Sequence, residues 1–128
     1  MKEPVWLERE DCLAIHEMML AEHGGLAGVR DETLFESALA KAHNLFVYSS
    51  PTLAEMAASY AVGIIINHPF LDGNKRTGFM LAATFLELNG LTFKATEESV
   101  VEKTLALAGG HLAQAGYAEW LGKNSSKG

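Results

Sequence analysis

Cysteine is almost absent from this chain of 128 residues, because Cys12 stands alone. One thiol cannot form an internal disulfide, which is typical of proteins in a reducing cytoplasm. Its apolar neighbours predict a small core side chain, since no nearby group would activate a thiolate. Long apolar runs are also absent, and the most apolar stretch, residues 61–66, is too short to span a bilayer. Residues 1–6 lead into a charged segment, which does not resemble a secretion signal. We therefore expect a cytoplasmic protein without a membrane segment.

Positive charge is scarce. The chain contains ten lysines and arginines and 16 acidic residues, which gives a formal net charge of −6. Nucleic-acid binding needs a basic face that displaces counterions, so this balance argues against direct nucleic-acid binding. The chain is 48% hydrophobic and 20% charged, and it is long enough to bury its own core. Without repeats or linkers, residues 1–128 predict a single domain, in which we expect the polar tail 124–128 to be disordered.

Helical periodicity predicts an all-α fold, a compact bundle of about six helices. Asp31 is the expected N-cap of the second helix, and Thr52 with Glu55 has the spacing of a capping box for the third. The first helix is predicted over residues 8–22, and the second begins after Asp31 and carries the apolar stripe Leu34, Ala38, Ala42 and Leu45. The other four predicted helices cover residues 52–67, 74–89, 97–108 and 111–121. The segment 44–51 is rich in β-branched and aromatic residues and predicts an extended piece, and 91–93 another.

The third and fourth helices are apolar on most sides, which predicts a buried hairpin. The third must end near Asn67, because His68 precedes a proline and such residues avoid helical angles. The connection between these two helices is nevertheless the most charged loop in the chain, with His68, Asp72, Asn74, Lys75 and Arg76 within nine positions. Ionisable groups at the mouth of an apolar core are costly unless they bind something.

Each side chain of this loop suits phosphoryl chemistry. Gly73 lets the backbone approach a ligand, and the first turn of a helix beginning at Asn74 offers unpaired N–H groups to an anion. Lys75 and Arg76 add positive charge where a helix disfavours it, which indicates an anionic partner. Asp72 is a hard oxygen ligand for Mg²⁺, although an aspartate there is also a common N-cap.

The imidazole of His68 can accept a proton from an attacking hydroxyl. A histidine in isolation more often caps a helix end, and only its charged neighbours favour catalysis. Phe70 is the expected hydrophobic anchor between the two polar ends of the loop. The remaining histidines lack partners at metal-ligand spacing and are interpreted as surface or interhelical residues. They are His16, His23, His43 and His111.

The segment His68–Thr77, H-P-F-L-D-G-N-K-R-T, resembles the signature of the Fic/Doc family. The Fic form reads H-P-F-x-[D/E]-G-N-G-R-x-x-R, and this chain departs from it at Lys75 and Phe79. Both departures are similar to the Doc branch, the death-on-curing toxins, whose motif resembles H-x-F-x-D-x-N-K-R-T. The segment Glu22–Leu26, E-H-G-G-L, also looks Doc-like, and the resemblance covers roughly residues 7–121.

The resemblance implies a toxin that acts as a protein kinase and transfers the γ-phosphate of ATP to a serine or threonine of elongation factor Tu. It implies that His68 is the general base, that Asp72 binds Mg²⁺, and that Gly73, Asn74, Lys75 and Arg76 hold the nucleotide, the last two also acting in catalysis. Family enzymes have a short flap before the third helix, where Tyr48 lies here; Tyr48 is equally suited to the core.

Two other functions stay open. Fic-type transfer of AMP is disfavoured by Lys75 and Phe79, and a non-catalytic binding module has no use for His68 with Asp72. A zinc hydrolase is weaker still, because one histidine and one aspartate are too few ligands. No serine or threonine has a glutamate four residues on, the pattern of the inhibitory helix in many Fic proteins. The resemblance therefore implies silencing in trans by a Phd-like antitoxin, whose disordered segment folds on the toxin.

Overall fold

The computed structural model describes residues 2–128, and these form six α-helices and a two-stranded antiparallel sheet. The all-α fold is therefore confirmed. In chain order the elements are α1 Arg9–His23, α2 Glu32–Tyr48, α3 Leu53–Asn67, α4 Asn74–Leu88, β1 Leu91–Phe93, α5 Glu97–Ala108, α6 Gln114–Lys123 and β2 Ser125–Lys127. Within the described residues, no helix combines the length and apolarity that crossing a membrane requires.

Helix α3 lies at the centre of the fold and packs against α2, α4 and α6. Its residues are buried around almost the whole circumference, as its apolar sequence predicts. Helix α4 approaches α3 closely at Gly78, where a Cβ would lie 2.6 Å from Cγ1 of Ile65. This close packing of α3 against α4 fixes the two ends of the loop that joins them.

Local signals set the ends of the central helices. Thr52 accepts a hydrogen bond from the Glu55 N–H, and the Glu55 carboxylate accepts one from the Thr52 N–H, so the predicted capping box is present. Asp31 caps α2 by accepting from the Leu34 N–H at 3.0 Å, also as predicted. The end of α3 at Asn67 confirms the effect of Pro69 on the residue before it.

The prediction that residues 44–51 are extended is wrong, because α2 continues to Tyr48. Tertiary packing outweighs the β-propensity of this segment: the ring of Phe46 lies 5.7 Å from that of Trp6 in an edge-on contact. The helix ends at Ser49, whose hydroxyl donates to the Leu45 carbonyl. Between α2 and α3 the described chain contains no strand, and Tyr48 is 85% exposed rather than part of the core.

The tail is ordered from Ser125 to Lys127, contrary to the expected disorder of residues 124–128. These residues form β2 and pair with β1, with Leu91 opposite Lys127 and Phe93 opposite Ser125. The Lys94 N–H also donates to the Asn124 carbonyl at 2.8 Å. A polar tail is ordered here because β1 offers an edge of unpaired backbone groups.

Helix α6 begins at Gln114 and not at residue 111. The N–H groups of His111 and Leu112 both donate to the Ala106 carbonyl and close the end of α5, so they belong to the turn between the helices.

Burial raises the pKa values of three ionisable core side chains. Burial raises the pKa of the Cys12 thiol to about 12. Burial likewise raises the pKa values of Tyr60 and Tyr117 to about 12 each. The Tyr60 hydroxyl accepts from the Leu7 N–H at 3.2 Å, and the Tyr117 hydroxyl lies 3.0 Å from that of Thr104. Cys12 is therefore a core residue, as its neighbours in the sequence indicate.

Candidate active site

The loop between α3 and α4 begins at His68, whose backbone is left-handed with φ 50° and ψ 55°. Its N–H still donates to the Ile64 carbonyl at 3.1 Å, so His68 terminates the helix and its side chain is exposed. Among residues 2–128 it is the one residue other than glycine with a positive φ. Such a conformation disfavours L-amino acids and indicates that surrounding contacts hold it.

Phe70 anchors the loop in the core, as the sequence predicts. Its side chain is 1% exposed. One face of the ring stacks on His16, with ring centroids 3.7 Å apart and an interplanar angle of 8°. The ring of Phe35 lies 5.1 Å away. The polar residues on both sides of Phe70 are thereby tied to a fixed point of the core.

The side chain of Asn74 is turned into the loop. Its Oδ1 accepts from the Phe70 N–H at 3.1 Å, and its Nδ2 donates to the Phe70 carbonyl at 3.0 Å. Asn74 is 6% exposed, so both bonds are shielded from water. The amide therefore braces the loop.

His16 is a residue of the site that the sequence analysis treated only as surface or interhelical. It is 3% exposed, and its Nε2 lies 2.8 Å from the Asp72 carbonyl oxygen. A carbonyl only accepts, so Nε2 carries the proton. The available signal was its position between Cys12 and Met19 on the inner face of α1, where a polar side chain needs a partner.

The Asp72 carboxylate accepts from the Leu26 N–H through Oδ2 at 2.7 Å. It does not cap α4, contrary to the usual role of an aspartate at that position, because the N-cap is Gly73. Within residues 2–128, Oδ1 makes no hydrogen bond and no cation pairs with this carboxylate. One carboxylate oxygen is thus tied to the segment between α1 and α2, and the other is available to a ligand.

The N-terminus of α4 is open. Gly73 has φ 80°, a conformation that glycine adopts without strain, and it provides no side-chain cap for the N–H groups of the first turn. By contrast, α2, α3 and α5 begin with side-chain caps from Asp31, Thr52 and Thr96. The uncapped end of α4 carries a partial positive charge and free donors.

Lys75 and Arg76 are exposed at this helix end. In the described part of the chain, neither has a carboxylate within 4.0 Å. The partial positive charge at the start of α4 and the charges of Lys75 and Arg76 repel one another, and a bound anion relieves this repulsion. The arrangement therefore favours binding of phosphate groups.

A cavity of about 670 Å³ opens over the loop. Small-molecule sites typically measure roughly 300–1,000 Å³, so this volume lies within their range. All six predicted site residues line it together: His68, Asp72, Gly73, Asn74, Lys75 and Arg76. Tyr48 and the two tryptophans are not on its wall, and Trp120 instead packs on Phe93 with ring centroids 5.4 Å apart.

The rest of the cavity wall comes from α1, α4 and α5. Glu22 and His23 lie at the end of α1, a placement that no spacing in the sequence indicates. Side chains of α4 and α5 provide an apolar wall: Phe79, Met80, Val100, Val101 and Leu105. Phe79 also contacts Phe93 at 5.6 Å between ring centroids, so its ring is part of an aromatic cluster and offers phosphate no donor. The loop contributes the cations Lys75 and Arg76 to the cavity, and the remaining wall combines these apolar side chains with the carboxylates of Glu22 and Glu97.

The donor set at the loop suits a Mg²⁺ ion that arrives with a nucleotide. Magnesium typically binds one or two protein carboxylates together with substrate phosphates and water. Asp72 offers one carboxylate with a free oxygen, next to cations and amide N–H groups that suit phosphates. The single carboxylate fits a shared ion of this kind and does not form a complete protein cage for a metal.

Comparison with known proteins gives two kinds of match. The sequence pattern of the Fic/DOC family matches residues 6–86, a range that contains α1–α3, the loop and most of α4. Over 113 residues the chain is 30% identical to the protein kinase doc of Escherichia phage P1, covering 88% of this chain and 89% of that protein. Over 92 residues it is 36% identical to the toxin Doc of Mycolicibacterium smegmatis, covering 70% and 68%.

Proposed function

Because this chain belongs to the Fic/DOC family, we propose that it is a Doc-type toxin, a protein kinase that transfers the γ-phosphate of ATP to a serine or threonine hydroxyl. The proposed target is a translation factor similar to elongation factor Tu. The observation that carries the proposal is the uncapped N-terminus of α4 beside Lys75 and Arg76, on the wall of the same cavity as His68 and Asp72.

The proposed nucleotide site is the cationic part of the cavity. The N–H groups of Gly73 and Asn74 and the first turn of α4 hold phosphate oxygens, while Lys75 and Arg76 balance their charge. The free oxygen of Asp72 holds Mg²⁺, which supplies further neutralisation of the phosphates when bound. The apolar wall across the cavity suits the base and ribose of the nucleotide.

His68 is the proposed general base. It is exposed at the cavity, so a protein hydroxyl can reach its imidazole, which takes the proton as the oxygen attacks phosphorus. The hydroxyl oxygen forms a bond to the γ-phosphorus, and the bond from that phosphorus to the bridging oxygen of ADP breaks. Negative charge that develops on the departing ADP then lies beside Lys75 and Arg76, which stabilise it more strongly in the transition state than in bound ATP.

Transfer of AMP is the alternative outcome. It requires the α-phosphate, not the γ-phosphate, beside His68, and in Fic-like motifs a second arginine holds the distal phosphates. Here Phe79 occupies that position, and its ring lies in the aromatic cluster with Phe93. The apolar ring cannot bind phosphate, which favours γ-transfer.

Two radioactive labels separate these activities. Purified protein is incubated with Mg²⁺, bacterial elongation factor Tu, and ATP labelled at either the γ- or the α-phosphate, with Asp72→Asn as the inactive control. We expect label from the γ position on a serine or threonine, located by mass spectrometry. Label from the α position would make the chain an AMP transferase. The same two labels are then tested with a bacterial lysate in place of the purified factor. Absence of both labels on every protein of that lysate would contradict both transfer activities and favour a binding module.

Silencing by an antitoxin in trans is part of the proposal. The cavity rim carries three exposed apolar side chains, Leu71 at 49%, Val101 at 51% and Leu105 at 54% exposure, next to the cationic loop. Apolar groups gathered at one cavity mark a surface suited to a partner segment. We expect the chain to arrest growth when it is expressed alone, and His68→Ala to restore growth. Harmless expression of the active kinase at high level would contradict a need for an antitoxin.

A further inference from the structure

The left-handed backbone of His68 needs an explanation, because it orients the proposed base. In this region the Cβ of an L-amino acid crowds the following carbonyl, so a histidine stays there only if its surroundings hold it. The bond from its own N–H to the Ile64 carbonyl continues the pattern of α3 and is compatible with a right-handed residue as well. The contacts that hold His68 must therefore come from outside α3.

The residue that follows His68 cannot close the end of α3. A helix that ends in a left-handed residue is commonly closed by the N–H of the next residue, which donates back to the last turn. Here that residue is Pro69, which has no N–H. The last carbonyls of the helix therefore need donors from another part of the chain.

Arg30, in the segment between α1 and α2, provides these donors. Its Nε donates to the His68 carbonyl at 2.7 Å, and its Nη2 donates to the Asn67 carbonyl at 2.9 Å. Its backbone N–H donates to the Pro69 carbonyl. Three N–H groups of one residue thus bond three consecutive carbonyls around the proposed base. The positive guanidinium also lies at the negative end of the α3 dipole.

A neighbouring strand-like contact keeps Arg30 in place. Val29 forms an antiparallel bridge with Phe70, and the Leu71 N–H donates to the Gly28 carbonyl at 3.1 Å. Because Phe70 is fixed in the core, this bridge holds the backbone of the Arg30 segment in a fixed position beside the loop. Arg30 itself is not among the residues that line the cavity, and its guanidinium is engaged by the carbonyls of His68 and Asn67.

We propose that Arg30 is the positioning residue of the proposed base: its guanidinium holds the backbone of His68 left-handed and so directs the imidazole into the cavity. This inference rests on the proposed role of His68 as base. Lysine cannot replace it, because one ammonium does not present the planar fork that bonds two carbonyls at once. Glutamine keeps two N–H donors on a single amide nitrogen, but it lacks the guanidinium fork and the charge.

Steady-state kinetics of Arg30→Gln and Arg30→Lys test the proposal in the full chain. A base displaced by about 1 Å can cost roughly a hundredfold in rate, so we expect kcat to fall at least about tenfold in both variants. The KM for ATP should change less than about threefold, since Arg30 does not reach the cavity. Arg30→Lys should retain more activity than Arg30→Gln, because it keeps the charge at the end of α3.

Arg9→Gln is the matched control. Arg9 also makes two side-chain hydrogen bonds in an exposed setting, to Glu32 at 2.9 and 2.7 Å, but none to the loop. Arg9→Gln therefore removes a pair of side-chain bonds between α1 and α2, together with the contact of the guanidinium on the Phe35 ring at 4.9 Å from its centroid. We expect it to lower thermal stability about as much as Arg30→Gln while its kcat stays within about twofold of wild type. Equal losses of kcat in both variants would show general loosening and overturn the specific role of Arg30.

A second measurement does not depend on activity. NMR couplings across the N–Cα bond of His68 report its φ angle in the ligand-free protein. We expect a positive φ in the wild type and in Arg9→Gln, and a shift towards negative φ in Arg30→Gln. Unchanged couplings in Arg30→Gln would overturn the proposal. A wild-type protein that transfers no phosphate would refute the proposed function, while the couplings would still decide the role of Arg30.

Discussion

Replacing Asn74 by alanine tests whether its amide braces the loop or binds a nucleotide. The structure directs both polar atoms of this side chain to the backbone of Phe70. Asn74→Ala leaves an N–H and a carbonyl of a residue that is 1% exposed without partners. If the Asn74 amide served only to bind the nucleotide, it would not contribute to the stability of the ligand-free protein.

The expected loss of stability follows from these two bonds. Each buried polar group left without a partner costs about 1–3 kcal/mol, and partial entry of water reduces the sum. We expect Asn74→Ala to lower the free energy of unfolding by about 2–4 kcal/mol, a large share of the roughly 5–15 kcal/mol of a typical domain. Asn74→Asp keeps the acceptor for the Phe70 N–H but places an oxygen opposite the Phe70 carbonyl. We therefore expect this variant to have a lower free energy of unfolding as well.

Urea unfolding of the ligand-free protein measures this loss. The midpoint should shift to lower urea with an unchanged slope, because the fold and the surface exposed on unfolding stay the same. Lys75→Ala is the control in the same helical turn. Its side chain is exposed, and removal of a cation from a positive helix end should change stability by less than about 0.5 kcal/mol.

Phosphate transfer by the same variants completes the test. We expect Lys75→Ala to lose transfer without losing stability, and Asn74→Ala to lose both. An Asn74→Ala protein that unfolds at the wild-type urea concentration, yet no longer transfers phosphate, would refute the reasoning. The amide would then serve the nucleotide and not the loop.

The remaining predictions concern the base, the metal ligand, the buried histidine and alkaline pH. His68→Ala should lower the rate of phosphate transfer by roughly 10²–10⁴, with an unchanged circular dichroism spectrum, and a wild-type rate would remove His68 from the mechanism. Asp72→Asn keeps an oxygen for the Leu26 N–H and should stay folded but inactive, as should the wild type in excess chelator; activity under chelation would exclude a metal requirement. His16→Phe preserves the ring stacked on Phe70 but loses the donor to the Asp72 carbonyl, so kcat should fall more than about fivefold, whereas equal kcat would show that the stack alone suffices. Stability should also fall above about pH 9, because the unfolded chain releases protons from the one thiol and the two tyrosines whose folded pKa values are raised to about 12. Between its unfolded and folded pKa values, each such group lowers the free energy of unfolding by about 1.4 kcal/mol per pH unit. A urea midpoint that stays constant between pH 9 and 11 would contradict the burial of these groups.

Much of the fold was predictable because the decisive signals are local. The capping box at Thr52 and Glu55 fixes the start of α3 through bonds between residues three apart, and Pro69 fixes its end. Helix α5 was predicted with its observed bounds because Gly109 follows it directly, and the structure adds a side-chain cap from Thr96 at its start. Where the outcome depended on distant partners, the prediction failed: 44–51 is helical up to Tyr48, and the tail forms β2.

The sequence by itself determined which residues gather at the candidate site. His68, Asp72 and Gly73–Arg76 are contiguous, and the start of a helix brings contiguous residues to one place whatever surrounds them. It also indicated Phe70 as the anchor of the polar loop, whereas the adjacent apolar Leu71 stays 49% exposed.

Only the tertiary structure decided how those residues are held. His16 lies 56 positions before Asp72, and Arg30 lies 38 positions before His68, so no local pattern relates them. The same contacts decide that Asn74 faces Phe70, that Asp72 bonds Leu26 and leaves the cap of α4 to Gly73, and that α4 therefore begins with free N–H groups. The physical reason is that a buried donor or acceptor takes whichever partner the packing of distant helices brings within about 3 Å, and spacing along the chain does not encode that choice.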